Sequence, residues 1–386
     1  MLKWVLLGIL FGTVTGITPA LHVNTLASIV ETLLTSPGGF SYVMLLYSMG
    51  LTHTFLDAFP STFFGIPEEE TAVSILPAHK LALHGQGLEV INISLKASLL
   101  AVVFAIPLAF PYVVLAEHYT SAFGKVAVFV LAFLLIITEK GVKRIYALLI
   151  FLISGIFGLV VDRLPLKEPY FHVFVGLFGV SAIVFSLKNN QKIEIGNADI
   201  QMSKRRFLKF SFIGTCFGML ASLLPTFTSS QAALLGSFFS KDERTFLTIA
   251  FSVNTSNFVF SLVNFYATGK TRNGILVLIK DLYYPLSSKE LIILLLVTII
   301  TSSIINLYGL SLSTIIGKAI SKIDYTKLNL GILLFIATAS LYFDGILGLG
   351  VLLTAATIGI STSILKVKRT TCMGVLMLKI MITNNS

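Results

Sequence analysis

The sequence predicts an all-α polytopic membrane protein, with about ten to twelve transmembrane segments in two internal repeats and with proline-broken or re-entrant helices. Composition is the first observation behind this prediction. Of 386 residues, 55% are hydrophobic and 12% are charged, and the mean hydropathy is +0.90, whereas soluble domains have about 25% charged residues. In a bilayer, helices satisfy the hydrogen bonds of their own backbone N–H and C=O groups. A chain of this apolar composition is therefore expected to be a helical, multi-pass protein of the cell membrane.

Apolar runs of membrane-spanning length are the second observation. A helix needs about 20 apolar residues to cross the hydrocarbon core. In the first half, apolar runs lie at 3–17, 40–59, 90–116, 121–138, 145–161 and 170–187. In the second half, they lie at 210–224, 244–268, 290–310, 328–343, 345–365 and 371–382. This spacing leaves no room for a sizeable soluble domain.

The polar stretch between the two series is the longest and most basic in the chain. Its basic residues are Lys188, Lys192, Lys204, Arg205, Arg206 and Lys209. An excess of Lys and Arg in short connections is typical of cytoplasmic loops. We therefore predict a first transmembrane repeat at 1–187, a basic cytoplasmic linker at 188–209 and a second repeat at 210–386. The net charge of +10 is then explained by loops beside membrane lipids, and no nucleic-acid partner is expected.

Matched residues at fixed spacing are the third observation. Gly8, Phe11, Gly12 and Pro19 recur as Gly214, Phe217, Gly218 and Pro225, all at an offset of 206. Ser48, Gly65 and Val73 recur as Ser252, Gly269 and Val277, at an offset of 204. The shared order and spacing favour a duplication over chance. The pattern leaves open whether the repeats are parallel or inverted.

Both matched prolines interrupt an apolar helix and open a polar stretch. A proline removes a helix hydrogen bond, and paired interruptions in two repeats indicate the binding site of a transporter. The alternative is two proline kinks whose hydroxyl groups bond back to their own helices. The predicted substrate-binding residues are Thr18, Pro19, His22, Asn24, Thr25, Pro225, Thr226, Thr228, Ser229, Ser230, Asn254, Thr255 and Arg272.

A second pair of polar segments follows the breaks. At matched positions one half has Glu68–Glu70 and the other has Lys270 and Arg272. The forked guanidinium of Arg272 suits a carboxylate or phosphate, and carboxylates at membrane depth suit a proton or a sodium ion. Two alternatives are solvated interfacial loops and a Glu–Arg gate between the halves. The predicted ion-coupling or gating residues are Thr52, His53, Asp57, Glu68, Glu69, Glu70 and Lys270.

Other functional classes fit the sequence less well. It has no His-Glu-x-x-His run, no Gly-x-Ser-x-Gly elbow and no phosphate-binding glycine loop. We predict no enzyme activity, no metal site and no cofactor, apart from a co-transported sodium ion or proton. The main alternative to a transporter is a non-transporting membrane assembly or scaffold protein, and a membrane enzyme comes third.

Five segments in order cover nearly the whole chain and carry a family pattern. They are GTVTGITPALHVNT, FGIPEEETAVSILPAHKLALHGQG, VGLFGVSAIVFSL, NTSNFVFSLVNFYATGKTRNG and KRTTCMGVLMLKI. Together they resemble the large membrane subunit of the tripartite tricarboxylate transporters, the TctA family, and in particular its archaeal branch.

This resemblance implies a cation-coupled carrier of small organic anions, such as di- and tricarboxylates. It also implies two partners, a small membrane subunit and an extracytoplasmic binding protein. The function predicted from the sequence is therefore a secondary transporter, or permease, that moves a small organic anion by alternating access together with a proton or a sodium ion. The substrate, the coupling ion and a homo-oligomeric state are left open.

Overall fold

The structure is a computed structural model that describes part of the chain. It covers residues 1–382 except 20–22, 24–25, 28–38, 67–68, 119–120, 187–194, 225–227, 240–241 and 272. Side chains at positions 69, 70, 121–124, 185, 186, 237 and 325 also lie outside the description. Within these ranges the chain forms helices and no β-strand, which confirms the predicted all-α class.

The described helices are numbered here in chain order. In the first half they are α1 (Leu2–Ile17), α2 (Phe40–Leu56), α3 (Ile75–Leu83), α4 (Gly87–Glu117), α5 (Ser121–Ile137), α6 (Lys143–Val161), α7 (Pro169–Phe174) and α8 (Ser181–Ser186). In the second half they are α9 (Lys204–Leu223), α10 (Ser229–Phe239), α11 (Glu243–Thr268), α12 (Gly274–Leu282), α13 (Ser288–Ile320), α14 (Tyr325–Ile364) and α15 (Gly374–Ile382). Single π turns lie at Pro60–Phe64 and Val175–Val180, and 3₁₀ turns lie at Glu69–Ser74 and Arg369–Met373.

Six helices in the described part of the chain are long and apolar enough to cross a bilayer. They are α4, α6, α9, α11, α13 and α14. Shorter apolar helices lie among them, including α1. The protein is therefore a multi-pass membrane protein, as predicted.

Helix α11 lies at the centre of the bundle. Every residue from 245 to 265 is buried, because α2, α4, α9 and α10 all pack against this helix. Its polar side chains, among them Asn254, Ser256 and Asn257, are therefore shielded from lipid. Polar groups inside a membrane bundle are expensive to bury unless they bond to each other or to a ligand.

Helices α2 and α11 cross with opposed chain directions. The rings of Tyr47 and Phe258 lie 5.3 Å apart, and the Asn254 amide donates to the Asp57 carboxylate at 2.7 Å. As the residue number rises along α2, the number of its partner on α11 falls. This contact joins the two halves at mid-bundle, directly where α2 ends.

Glycines allow α1 to approach α2 closely, and they do the same for α9 and α11. A Cβ atom on Gly12 would lie 2.6 Å from Thr52 Cβ. A Cβ atom on Gly218 would lie 2.6 Å from the carbonyl oxygen of Val253 and would also meet Ser256 Oγ. Small residues at such contacts let helix backbones pack tightly in membranes.

Replacing Gly218 with alanine is expected to lower the free energy of unfolding by about 1–3 kcal/mol, because the backbone carbonyl of Val253 cannot give way as a flexible side chain could. Gly350→Ala is the matched control, since a Cβ atom there would meet no atom within 4 Å. Alanine is also the better helix former. Denaturant titration of both variants in mixed micelles measures the difference, and equal stabilities would contradict the close contact.

Helix α14 is interrupted in its middle. Asp344 (φ −138°, ψ 16°) and Gly345 (φ 60°, ψ −150°) are not helical. Only glycine adopts the latter conformation without strain. The interruption leaves about 19 residues on each side, which is roughly the length that spans a hydrocarbon core. The apolar runs 328–343 and 345–365 meet at this point.

The end of the predicted linker is a short extended segment followed by a helix. Ile195 forms an isolated β-bridge with Gln86, and Asn92 Nδ2 donates to the Ala198 carbonyl at 2.8 Å. Helix α9 then begins at Lys204, with Ser203 as its N-cap. The last six residues of the predicted linker are thus helical, because a serine followed by good helix formers starts a helix regardless of charge.

Candidate functional site

Helices α1 and α9 end at equivalent positions, just before their prolines. Helix α1 ends at Ile17, and Thr18 is extended with φ −92° and ψ 118°. Helix α9 ends at Leu223, and Leu224 is extended with φ −80° and ψ 116°. The residue before a proline is pushed out of the helical region by the proline ring. Both apolar helices therefore break where the sequence predicts.

A new helix, α10, starts just after the second break. Thr228 Oγ1 accepts from the Gln231 N–H at 3.2 Å, and Gln231 Oε1 accepts from the Thr228 N–H at 3.1 Å. This reciprocal pair is a capping box, which fixes the helix start. Asn257 of α11 donates through Nδ2 to Ser229 Oγ at 2.8 Å. The first turn of α10 is thus held against the central helix.

A second polar contact lies at the crossing of α2 and α11. The Asn254 amide that donates to Asp57 also lies 3.5 Å from the Thr54 carbonyl. Thr255 donates to Ser98 Oγ at 2.8 Å and lies 3.3 Å from Thr54 Oγ1. Asp57 is 2% exposed, so this carboxyl group lies inside the bundle. The predicted residues Asp57, Asn254 and Thr255 are therefore brought together.

The neighbouring predicted residues connect to α1. His53 Nδ1 lies 3.2 Å from Thr15 Oγ1. Thr15 is in the last turn of α1. Thr52 Oγ1 donates to the Ser48 carbonyl of its own helix at 2.7 Å. The Thr52 hydroxyl thus bonds back to α2, as in an ordinary membrane helix.

Two buried polar atoms at the start of α10 and on α11 have no hydrogen-bond partner in the described part of the chain. They are Gln231 Nε2 and Asn257 Oδ1. Gln231 is fully buried, and its Oε1 atom is already used in the capping box. Buried polar atoms are nearly always bonded, so this orphan donor and this orphan acceptor leave hydrogen-bonding capacity that a ligand can use.

The other predicted residues are placed less fully. His22, Asn24, Thr25, Pro225, Thr226, Glu68 and Arg272 lie outside the described residues. Thr18 and Pro19 are half-buried at the end of α1, and Ser230 is buried in α10. Glu69 and Glu70 begin the 3₁₀ turn Glu69–Ser74, with side chains outside the description. Lys270 is exposed beyond the end of α11. Among the described side chains, no group of three or more His, Cys, Asp or Glu residues could hold a metal ion.

Comparison with known proteins decides the family. The model of the tripartite tricarboxylate transporter TctA family matches residues 2–374. This chain belongs to the TctA family. An uncharacterized protein of Methanocaldococcus jannaschii is 31% identical over an alignment of 347 residues, and the match covers 86% of this chain and 85% of that protein. No solved structure matches the chain.

Membership of the TctA family confirms the resemblance described above. TctA proteins are membrane components of transport systems, and the family works in tripartite systems with two partner subunits. The polar residues on the central helix of this TctA chain therefore lie in a transport protein.

A buried ion pair at one end of this TctA bundle was not predicted. Arg244 donates to Glu89 through Nε at 2.7 Å and through Nη2 at 2.9 Å. Glu89 also accepts from the Gln201 N–H at 2.7 Å, so one carboxylate joins α4, α11 and the segment before α9. The Glu89 side chain is 1% exposed and that of Arg244 is 19% exposed.

A second unpredicted pair lies at the interruption of α14. His172 Nε2 lies 2.7 Å from Asp344 Oδ2, and the two side chains are 0% and 3% exposed. His172 Nδ1 lies 3.0 Å from Ser340 Oγ. Asp344 also accepts from the backbone N–H groups of Lys167 at 2.5 Å and Glu168 at 3.0 Å. Burial, and to a lesser degree the Asp344 carboxylate, raise the pKa of Glu168 above its ordinary value.

Sequence signals for these pairs were present but incomplete. Asp344 is the one charged residue in the apolar run from 328 to 365, and such a residue is a reason to look for a partner. Glu89 directly precedes the apolar run 90–116. In both cases the partner lies more than 150 residues away, and no local pattern identifies it.

Proposed function

We propose that this chain is a permease that carries a small organic anion, a carboxylate, across the cell membrane by alternating access, coupled to a proton or a sodium ion. Its family is that of a transport component. Transport, rather than catalysis or scaffolding, accounts best for polar groups buried at two helix breaks. The orphan donor Nε2 of Gln231, beside the second break, is the observation that carries this proposal.

The anion is proposed to bind between the break at Pro225 and the central helix. A carboxylate accepts hydrogen bonds, and Gln231 Nε2 is a buried donor with no partner in the described chain. The first turn of α10 adds backbone N–H groups at the positive end of a helix, which favour an anion. Ser229 and Asn257 fix this turn through their 2.8 Å hydrogen bond.

The coupling cation is proposed to bind near the crossing of α2 and α11. Asp57 supplies a carboxylate inside the bundle, with Thr54, Asn254 and Thr255 as neutral oxygen-bearing neighbours. Hard cations take oxygen ligands, and a carboxylate in such surroundings also takes a proton. A cation there would offset the charge of the anion.

The two repeats, 1–187 and 210–386 joined by the linker 188–209, are proposed to be inverted with respect to each other. The glycine contacts support the equivalence of the two repeats, because Gly12 meets Thr52 and its equivalent Gly218 meets Ser256, the equivalent of Thr52. The opposed directions of α2 and α11 are those that an inverted pair would have. Inverted repeats with broken helices suit alternating access around a shared site.

The family implies further partners for this chain. We include in the proposal a small membrane subunit and an extracytoplasmic binding protein that delivers the anion. A homo-oligomer is compatible with this arrangement.

The test begins with the purified chain and a panel of mono-, di- and tricarboxylates. A ligand that binds the folded state raises its apparent melting temperature, and this readout needs no partner subunit. Uptake into proteoliposomes under a sodium or proton gradient then tests transport. A scaffold protein would show neither stabilisation nor uptake, and either positive result excludes that alternative.

Arg272→Gln is expected to weaken anion binding about tenfold or more, because a charge-assisted hydrogen bond is worth roughly 1.5–3 kcal/mol. Lys289→Gln is the matched control: it removes the same charge from an exposed position at the start of α13. If Arg272→Gln binds the anion like the control, Arg272 is not a ligand.

Glu69→Gln is expected to change the pH or sodium dependence of transport and to leave the anion affinity largely intact.

A further inference from the structure

A basic pocket lies at the start of helix α9, away from the proposed transport site. Its volume is about 360 Å³, and its lining residues are Ser203, Arg205, Arg206, Lys209 and Phe210. Three of these five residues are cations. The first turn of α9 contains no acidic residue, so nothing within that turn offsets the positive charge.

The aromatic ring of Phe210 organises two of the cations. Arg206 Cζ lies 5.9 Å and Lys209 Nζ lies 5.6 Å from the ring centroid, which is within the range of cation–π attraction. Arg206 also contacts Asp242 at 3.4 Å, with both side chains substantially exposed. Arg205 and Lys209 also line the pocket. An anion in this pocket would thus meet several donors at once.

The pocket lies at the boundary of the membrane. Helix α9 is one of the membrane-spanning helices, and its basic residues are confined to its first six positions. One turn further on, the same helix face is apolar and exposed. Leu208 is 48% exposed and Phe212 is 44% exposed, three and seven positions after Arg205, which puts all three on one side of the helix.

We propose that this pocket binds the headgroup phosphate of an anionic phospholipid, with the acyl chains along Leu208 and Phe212. Lys and Arg clusters at the cytoplasmic end of a membrane helix attract anionic headgroups, and arginine forks match phosphate geometry. A free phosphate would use the cations alone. A lipid uses both the cations and the apolar face that continues from them.

The experiment uses the full chain, delipidated in a neutral detergent, and titrates it with phosphatidylglycerol or with phosphatidylcholine. Retained lipid is counted by native mass spectrometry. The variant Arg205→Gln/Lys209→Gln removes two pocket cations and leaves the Arg206–Asp242 contact in place. The control Lys318→Gln/Lys322→Gln removes two exposed lysines near the end of α13. The control lysines and the pocket lie at the same end of the bundle. Gly317, beside Lys318, packs closely against Ile195 of the segment before α9, since a Cβ atom on Gly317 would lie 3.0 Å from the Ile195 side chain.

The wild type is expected to prefer phosphatidylglycerol over phosphatidylcholine. Its apparent dissociation constant for phosphatidylglycerol should rise about tenfold or more in the pocket variant and less than about twofold in the control. Equal binding by the pocket variant and the wild type would overturn the proposal. So would displacement of the lipid by an equal concentration of glycerol phosphate or inorganic phosphate, because the site would then be one for a soluble anion.

Discussion

Replacing Asp344 with alanine is expected to lower the free energy of unfolding by about 3 kcal/mol or more. The carboxylate accepts from His172 and from two backbone N–H groups. Its loss leaves Nε2 of the buried imidazole and the two backbone N–H groups without this acceptor, and each unsatisfied buried donor costs about 1–3 kcal/mol. Denaturant titration in mixed micelles measures this change.

Asp324→Ala is the matched control for that experiment, because Asp324 caps the start of the same helix through the Lys327 N–H at 3.0 Å. A local cap is worth about 1 kcal/mol. A double-mutant cycle with His172→Ala should give a coupling free energy of about 1.5–3 kcal/mol. Two results would show that the Asp344–His172 pair does not hold α14 to the loop before α7. One is a loss of stability in Asp344→Ala no larger than that in Asp324→Ala. The other is additive losses of stability for Asp344→Ala and His172→Ala.

The second large effect is expected at Glu89. Glu89→Leu should cost about 3 kcal/mol, because it removes the carboxylate that binds Arg244 through two hydrogen bonds and also accepts from the Gln201 N–H. Arg244→Leu should cost a similar amount, since Glu89 is the more deeply buried partner. The double variant should recover part of the loss, because the buried charges are then removed together. Unfolding titrations of the three variants measure the coupling.

The adjacent pair of Lys80 and Glu243 is the control for Glu89. These side chains are 2.5 Å apart but 61% and 32% exposed, and exposed ion pairs contribute about 0–1 kcal/mol. Glu243→Gln should therefore change stability little. Similar costs for Glu243→Gln and Glu89→Leu would show that burial does not distinguish the two pairs.

Much of the fold was predictable because it depends on local chemistry. Apolar length predicts the spanning helices, and the prolines at 19 and 225 predict where α1 and α9 end. The same rule fails in α4, which continues through Pro107 and Pro111. Both prolines lie on the exposed face of α4. Membrane helices tolerate proline because lipid offers no partners for the backbone groups of a broken helix, so a proline alone does not predict a break.

The candidate site was only partly predictable. Asp57, Asn254, Thr255 and Ser229 were expected from polarity at membrane depth, but which residue each of them contacts was not. Thr15, Thr54, Ser98 and Asn257 are ordinary in sequence, and their role follows from which helices cross. Pairing between distant helices depends on packing across the whole bundle, and a single sequence contains no direct record of it.

The burial of α11 on all sides has a consequence for how the chain is made. Its middle contains amides and hydroxyls, and the helix is less apolar than α4 or α13. Such a segment leaves the ribosome with a weak tendency to partition into lipid, since polar residues near the centre of a span oppose insertion. Helices α4 and α9, against which it packs, precede it in the chain and reach the membrane first. Insertion of α11 is then a docking event, in which earlier helices supply the partners that lipid lacks, and errors in those helices would hinder assembly of the whole bundle.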